Sequence, residues 1–161
     1  MKKIFLLLGT NLGDLKENLE CAAKAIESRG IKILKKSKIY KTKPWGVSEQ
    51  PDFLNQALEV DTDLSAAELL KIFKDIETRM GRDNGHGRWE PRVIDIDIVF
   101  MGSLVIDRED LKVPHEQFFK RGFAIKILSE IAPDFHPPGS AKALIEYARG
   151  ESNEGIQVYC D

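Results

Sequence analysis

The stretch Arg88-Trp-Glu-Pro-Arg-Val-Ile-Asp-Ile-Asp-Ile-Val99 decides how this chain can fold. From Ile94 to Ile98, isoleucine alternates with aspartate, and a repeat of two residues is the period of a β-strand. We therefore predict that the isoleucines line a buried face of this strand. Asp95 and Asp97 then point from the other face, roughly 7 Å apart at a rise of ~3.3 Å per residue.

Two neighbouring carboxylates repel each other, and a hard cation such as Mg²⁺ relieves that repulsion because it prefers oxygen ligands. Arg88 and Arg92 flank the pair. Guanidinium groups beside a carboxylate-held metal form a site suited to phosphate. The same pattern also fits an exposed strand face whose charges pair with neighbouring arginines, so these residues alone leave both interpretations open.

Strands and helices alternate on both sides of this stretch. The predicted elements are, in chain order, a strand at Lys3–Leu8, a turn at Gly9–Gly13, a helix at Asp14–Ser28, strands at Ile31–Tyr40 and Phe53–Asp61, a helix from the Ser65–Glu68 capping box to Met80, the Asp95–Asp97 strand, a short strand at Leu104–Ile106, helices at Phe123–Ile131 and Lys142–Ala148, and a strand at Ile156–Tyr159. The order strand–helix–strand–strand–helix–strand is the ferredoxin-like pattern. We therefore predict an α+β fold: an antiparallel sheet with helices packed on it, and an active site on the open face under loops.

Composition narrows the class of protein. The 161 residues suit one domain spanning 1–161, and 42% hydrophobic content with 31% charged residues is typical of a soluble protein. With a net charge of -2, the chain as a whole does not attract negatively charged nucleic acid. The apolar run at the start stops at Gly9, shorter than a signal peptide requires. We predict a cytoplasmic monomer that binds neither membrane nor nucleic acid.

Several motifs of nucleotide-binding and metal-binding proteins are absent from the sequence. It contains no GxxxxGK[ST], no GxGxxG and no HExxH, and its two cysteines form no zinc pattern. Arginines offer another route to phosphate binding. Arg82 and Arg88 lie at the two ends of the glycine-rich segment Gly81–Gly87, an arrangement that suits a lid closing over a polyphosphate. A solvated, charged loop explains the segment equally well.

Aromatic residues cluster beside the same loops. Phe53 and Asn55 share one strand face, and an amide next to aromatic rings can bind the edge of a flat heterocycle such as a pterin or purine. The alternative is that the rings only fill gaps in the core. The other aromatic candidates are Trp45, Trp89 and Phe123.

Five motifs together resemble 6-hydroxymethyl-7,8-dihydropterin pyrophosphokinase, a family of folate-pathway enzymes. They are Gly9-Thr-Asn-Leu-Gly13, Pro51-Asp-Phe-Leu-Asn55, Arg88-Trp-Glu-Pro-Arg-Val-Ile-Asp-Ile-Asp97, Val113-Pro-His115 and Arg121-Gly-Phe123. The resemblance implies transfer of the β,γ-diphosphate of ATP to the hydroxymethyl group of the pterin, with release of AMP. It also implies two Mg²⁺ ions, ATP as co-substrate, and small-molecule partners only.

The resemblance assigns roles residue by residue. Asp95 and Asp97 match the metal ligands, and Asp97 is also a catalytic candidate with Arg82 and Arg92. For ATP binding, the resemblance gives Leu70, Ile98, His115 and Arg121. Two further ATP-binding candidates come from position alone: Arg88, which flanks the aspartates, and Glu77, which could lie inward near the metal site or at the surface. The pterin-binding candidates are Thr42, Pro44, Trp45, Phe53, Asn55, Trp89 and Phe123.

The chain departs from the family pattern at a few positions. Glu90 replaces a small residue, Asn84 replaces a residue that is often basic, and Trp45 is bulkier than the usual aliphatic. Phe53 is commonly tyrosine and Glu116 commonly aromatic. These departures weaken individual ATP and pterin contacts but leave the metal pair intact.

Two other functions remain compatible with the pattern. Paired aspartates on a ferredoxin-like sheet also occur in nucleotidyl-transfer enzymes, which release pyrophosphate instead of AMP and favour a basic groove. A non-catalytic RNA-binding module of the same fold would carry aromatic residues on its open strands and would not need Asp95 and Asp97.

Overall fold

The computed structural model describes residues 3–43, 51–81, 93–151 and 155–160. Its main elements are β1 (Ile4–Thr10), α1 (Leu15–Ser28), β2 (Lys32–Lys36), β3 (Ile39–Thr42), β4 (Phe53–Asp61), α2 (Ala66–Arg79), β5 (Asp95–Met101), β6 (Ile106–Asp107), β7 (Lys112–Val113), α3 (Gly122–Ile131), α4 (Leu144–Arg149) and β8 (Ile156–Cys160). Six strands form an antiparallel sheet in the order β5-β1-β4-β3-β8, with β2 also paired to β4. The predicted α+β class is confirmed.

The first face of the sheet carries the larger hydrophobic core. Apolar residues at every second position of β1 point toward α1 and α2, which bury one stripe each. The isoleucines of β5 belong to this face, as their spacing predicts, and Ile94, Ile96 and Ile98 are all buried. Capping fixes where α2 begins, because the Ser65 hydroxyl accepts a hydrogen bond from the Glu68 N–H at 3.2 Å.

The second face is only partly open. Helices α3 and α4 pack over Phe5, Leu7, Ala57 and Val99, where they form a second hydrophobic cluster with Phe118. The prediction placed helices on one face and left the other to loops. The sheet is instead covered on both faces, because α3 is apolar enough to bury most of its surface. The end of the second face near Gly9 and Asp95 extends beyond this cluster.

Two of the predicted strands differ in their bounds from the observed ones. Strand β1 continues through Gly9 and Thr10, which pair with Asn55 and Leu54 instead of forming a turn. The predicted strand Ile31–Tyr40 is two strands, β2 and β3, because the chain bends at Ser37. The hydroxyl of Ser37 accepts a hydrogen bond from the Ala57 N–H at 2.9 Å, which holds that bend against β4.

The remaining elements follow the predicted order. The short strand predicted at Leu104–Ile106 lies later, at Ile106–Asp107, where it pairs with β7 in a two-stranded ribbon. Helix α3 and helix α4 lie within two residues of their predicted bounds. Within the described residues, no helix combines the length and apolar character that crossing a membrane demands.

Candidate active site

A row of residues crosses the end of the second sheet face. Gly9 on β1 pairs with Asn55 of β4 on one side and with Asp95 of β5 on the other. Since neighbouring strands lie ~4.8 Å apart, Asn55 and Asp95 are roughly 10 Å from each other across Gly9. A Cβ at Gly9 would lie 3.0 Å from Asn55 Oδ1 and 3.6 Å from the Phe53 ring. Because Gly9 has no side chain, the sheet surface between the Asn55 amide and the Asp95 carboxylate is flat, and we call this surface the floor of the site.

The amide of Asn55 is held in one orientation. Its Nδ2 donates a hydrogen bond of 2.5 Å to the Thr42 hydroxyl on β3, and both residues are buried. The amide oxygen consequently faces Gly9. Thr42 and Asn55, both predicted at the pterin site, thus act together as one polar group at the edge of the floor.

The two aspartates of β5 lie on this same face and are partly exposed. Asp97 pairs in register with Leu7, two residues along the strand from the Gly9–Asp95 pair. The described residues contain no group of three His, Cys, Asp or Glu side chains that would enclose a metal ion. Mg²⁺ sites that use one or two carboxylates plus substrate phosphates and water need no such group. The donor set therefore fits Mg²⁺ that arrives with a nucleotide.

His115 faces the second aspartate. Its Nε2 lies 3.8 Å from Asp97 Oδ2, and its Nδ1 accepts a hydrogen bond of 3.2 Å from the Gln117 N–H. Because Nδ1 is an acceptor, a neutral ring carries its proton on Nε2, the atom directed at Asp97. The backbone N–H of His115 also donates to the Val99 carbonyl at 3.1 Å, so the residue is anchored to β5.

Burial lowers the pKa of His115 below its usual 6.5, and the positive charge of Arg121 lowers it further. The carboxylates of Glu116 and Asp95 act in the opposite direction but do not reverse the shift. The imidazole is therefore neutral at pH 7 and presents one N–H donor. A neutral donor contacts phosphate without adding charge to a carboxylate-lined site.

A groove runs along the outer edge of β5. Three of the predicted ATP-site residues, Leu70, Ile98 and His115, line it together, with Asp97 at one end. Leu70 is on α2 and Ile98 on β5, so the groove has an apolar side, while charged residues of the β6–β7 ribbon form the other. Its charged and polar lining residues are Lys74, Glu109, Asp110, Lys112, His115 and Glu116.

Arg121 and Phe123 bracket the first residue of α3. Arg121 precedes the helix, and with Asp97 and His115 it lines a small cavity beneath the site. Phe123 and Phe53 are both half-buried. The structure therefore brings Arg121 and Phe123, a predicted basic and a predicted aromatic site residue, to the same end of the second face as the aspartates.

Glu77 lies elsewhere. This buried carboxylate on α2 accepts a hydrogen bond of 2.8 Å from the backbone N–H of Ile96, the residue between the two aspartates. It is not among the residues that line the groove. Glu77 thus contacts the strand that carries the two aspartates, and its contact with ATP stays a prediction.

Some predicted residues fall outside the described part of the chain. They are Pro44, Trp45, Arg82, Asn84, Arg88, Trp89, Glu90 and Arg92, with the rest of the proposed lid after Gly81. Sequence reasoning also missed a residue that the structure places centrally, Gly9. A single glycine in a strand often marks a position where a ligand or another backbone approaches closely, and Gly9 directly follows the apolar run of the first strand.

Comparison with known proteins identifies the family to which this arrangement corresponds. The family model for 7,8-dihydro-6-hydroxymethylpterin-pyrophosphokinase (HPPK) matches residues 5–133. A 2-amino-4-hydroxy-6-hydroxymethyldihydropteridine pyrophosphokinase from Methylorubrum extorquens is 38% identical over 135 residues, which cover 83% of this chain and 85% of that protein.

Other relatives are much longer. The folic acid synthesis protein FOL1 of Dictyostelium discoideum is 42% identical over 135 residues, covering 83% of this chain but 20% of that protein. A Plasmodium falciparum HPPK-DHPS structure with pterin and p-hydroxybenzoate has a TM-score of 0.69 at 17% identity, covering 92% of this chain and 42% of that one. This chain thus spans less than half the length of these multifunctional relatives, and the structural match bears on the fold alone.

Proposed function

Because the chain belongs to the 7,8-dihydro-6-hydroxymethylpterin-pyrophosphokinase family, we propose that it transfers the β,γ-diphosphate of ATP to 6-hydroxymethyl-7,8-dihydropterin in folate biosynthesis. The hydroxymethyl oxygen forms a bond to the β-phosphorus of ATP. The bond from that phosphorus to the oxygen shared with the α-phosphate breaks, AMP leaves, and the hydroxyl proton is released.

The observation that carries this proposal is the row Asn55–Gly9–Asp95. It places an amide that can read a heterocycle roughly 10 Å from a carboxylate pair, with a flat floor between them. A bicyclic pterin lying over Gly9 would have its donor–acceptor edge at Asn55 and its hydroxymethyl group toward Asp95. The half-buried rings of Phe53 and Phe123 would pack against its faces.

The nucleotide is assigned to the groove along β5. Leu70 and Ile98 would contact the adenine, and the Nε2–H of His115 would donate to a phosphate. Arg121 adds positive charge beside the same phosphates. Asp95 and Asp97 would hold Mg²⁺, which supplies charge neutralisation for the phosphates and alignment of attacking and leaving oxygens. Two ions, as the family resemblance implies, remain part of this proposal.

The arginines predicted from sequence complete the assignment. Arg82 and Arg92 are proposed to grip the transferring phosphates, Arg88 to bind ATP, and Pro44, Trp45 and Trp89 to complete the pterin pocket. We also propose one catalytic domain over 1–161 that acts as a cytoplasmic monomer without nucleic acid. The free, exposed thiol of Cys21 is compatible with a reducing compartment.

One assay tests the reaction. The protein is incubated with MgATP and 6-hydroxymethyl-7,8-dihydropterin, and nucleotides are separated by chromatography, with omission of the pterin as control. We expect AMP in a one-to-one ratio with a diphosphorylated pterin. Release of pyrophosphate would instead favour nucleotidyl transfer, and pterin binding without turnover would favour a binding module.

A further inference from the structure

A second cleft lies at the opposite end of the second sheet face. It has a volume of about 350 Å³, within the ~300–1,000 Å³ range of small-molecule sites. The first residues of β1, the end of β4 and the C-terminal end of α3 form its walls. It shares no lining residue with the nucleotide groove. Its lining residues are Lys3, Phe5, Lys35, Glu59, Ile131, Ala132, Pro133, Asp134, Phe135 and His136.

Glu59 forms the polar base of this cleft. Its side chain is only 7% exposed, and in the described part of the chain no hydrogen bond reaches its carboxylate. Lys3 and Lys35 each approach one carboxylate oxygen at 4.0 Å, which is beyond hydrogen-bonding distance. The two lysines balance its charge, and the carboxylate oxygens are not among the fully buried atoms that lack a partner, so they can accept N–H groups from a ligand in the cleft.

The two lysines define what else such a ligand carries. Their side chains are 60% and 56% exposed, so their ammonium groups stand at the mouth of the cleft while Glu59 lies at its base. A ligand that is cationic throughout would be repelled at this mouth. A flat ligand would match the Glu59 carboxylate with N–H donors at its inner edge and the two ammonium groups with an anionic group at its outer end. The apolar walls formed by Phe135, Ile131 and Pro133 suit a ring.

We propose that this cleft binds a heterocycle with a 2-amino-4-oxopyrimidine edge and an anionic substituent. That edge presents an amino N–H and a ring N–H side by side, the pair that a carboxylate accepts in bidentate fashion. Guanine nucleotides and acidic pterins both carry it. Adenine nucleotides do not, because the equivalent edge of adenine has an acceptor nitrogen that would face the Glu59 carboxylate. The site is independent of the proposed reaction.

Binding of GMP and AMP to the full chain tests the proposal. Calorimetry is performed with the nucleotide groove saturated by a non-hydrolysable ATP analogue and Mg²⁺, and with the proposed pterin pocket saturated by 6-hydroxymethylpterin, which carries no anionic group. Pteroic acid is titrated in parallel to distinguish a pterin source from a nucleotide source. We expect saturable binding of GMP, pteroic acid or both, with AMP at least about tenfold weaker. Equal binding of GMP and AMP, or no saturable binding of either GMP or pteroic acid, would overturn the proposal.

Two variants locate the site. Glu59→Gln keeps the size of the side chain but replaces one acceptor oxygen with a donor, so it should abolish the preference over AMP. Lys35→Glu reverses the charge of a side chain that is 56% exposed, and it should weaken binding of the anionic ligands about tenfold. Thermal unfolding of each variant checks that it is folded. Binding unchanged in a folded Lys35→Glu protein would contradict the assignment.

Discussion

The Glu77 carboxylate on α2 accepts a hydrogen bond from the backbone N–H of Ile96, midway between Asp95 and Asp97. Strand β5 is at the edge of the sheet, so this N–H has no partner strand on its outer side. A buried side chain of a helix therefore takes the place of a neighbouring strand between the two aspartates that we propose as metal ligands. Glu77 is best understood as a positioning residue.

This relationship predicts different effects of two substitutions at Glu77. Glu77→Ala leaves the Ile96 N–H without its acceptor, at a cost of about 1–3 kcal/mol, which lowers the melting temperature by several degrees. Glu77→Gln retains an acceptor oxygen and should remain near wild type in stability and in the Mg²⁺ concentration needed for half-maximal rate. Calorimetry and Mg²⁺ titration measure both. A large rise in the KM for ATP with Glu77→Gln, at unchanged stability, would favour the direct ATP contact.

A second prediction concerns the carboxylate pair. Asp97→Asn keeps the side-chain shape but removes a negative oxygen ligand, so kcat/KM should fall on the order of 10³-fold while the melting temperature changes little. Asp97 is about one-third exposed, which is why the fold should tolerate the change. Asp63→Asn, at an exposed position after β4, is the matched control and should be silent. Full activity of Asp97→Asn at millimolar Mg²⁺ would rule out Asp97 as a metal ligand.

The lowered pKa of His115 gives a pH dependence of stability. A histidine whose pKa is lower in the folded protein binds fewer protons there than when unfolded, so folding stability rises with pH through this range. The contribution is fully present above the unfolded pKa of about 6.5 and is lost as the pH falls through the lower, folded value.

His115→Gln should remove this component of the pH dependence. Urea unfolding at a series of pH values between 5 and 8, without substrates, measures it. Identical slopes for wild type and His115→Gln would show that another group is responsible.

How far the sequence predicts this molecule depends on the kind of pattern. The alternation of isoleucine and aspartate identified β5, its buried face and the aspartate pair, because period two has a direct structural meaning. It did not predict the second layer of helices. Helix α3 is apolar but still has a more polar side with Lys126 and Glu130, and periodicity predicts that it buries a stripe without saying on which face of the sheet it packs. Contacts between distant segments, such as Glu77 with Ile96, depend on packing and have no local signal.

The hydrogen bond between Asn55 and Thr42 gives a fourth prediction. Thr42→Val keeps the shape of the side chain but removes the acceptor of the Asn55 amide, so the amide loses its fixed orientation. We expect the KM for the pterin to rise about tenfold, which corresponds to roughly 1.4 kcal/mol, with the KM for ATP unchanged. Thr42→Ser retains the hydroxyl and should restore the wild-type value.

The floor at Gly9 supplies the last prediction. Gly9→Ala adds a methyl group 3.0 Å from Asn55 Oδ1 and against the Phe53 ring, so either the amide shifts or the methyl group raises the floor beneath the heterocycle. The KM for the pterin should rise at least about tenfold, while ATP binding along β5 remains unchanged because the groove does not include Gly9. Gly150→Ala is the matched control for the added methyl group, because Gly150 is exposed, has an ordinary φ of -84° and offers a Cβ only van der Waals contact with the Tyr147 carbonyl at 3.6 Å. Equal losses of pterin and ATP binding in Gly9→Ala would show a general distortion of the sheet instead of a specific floor for the ring.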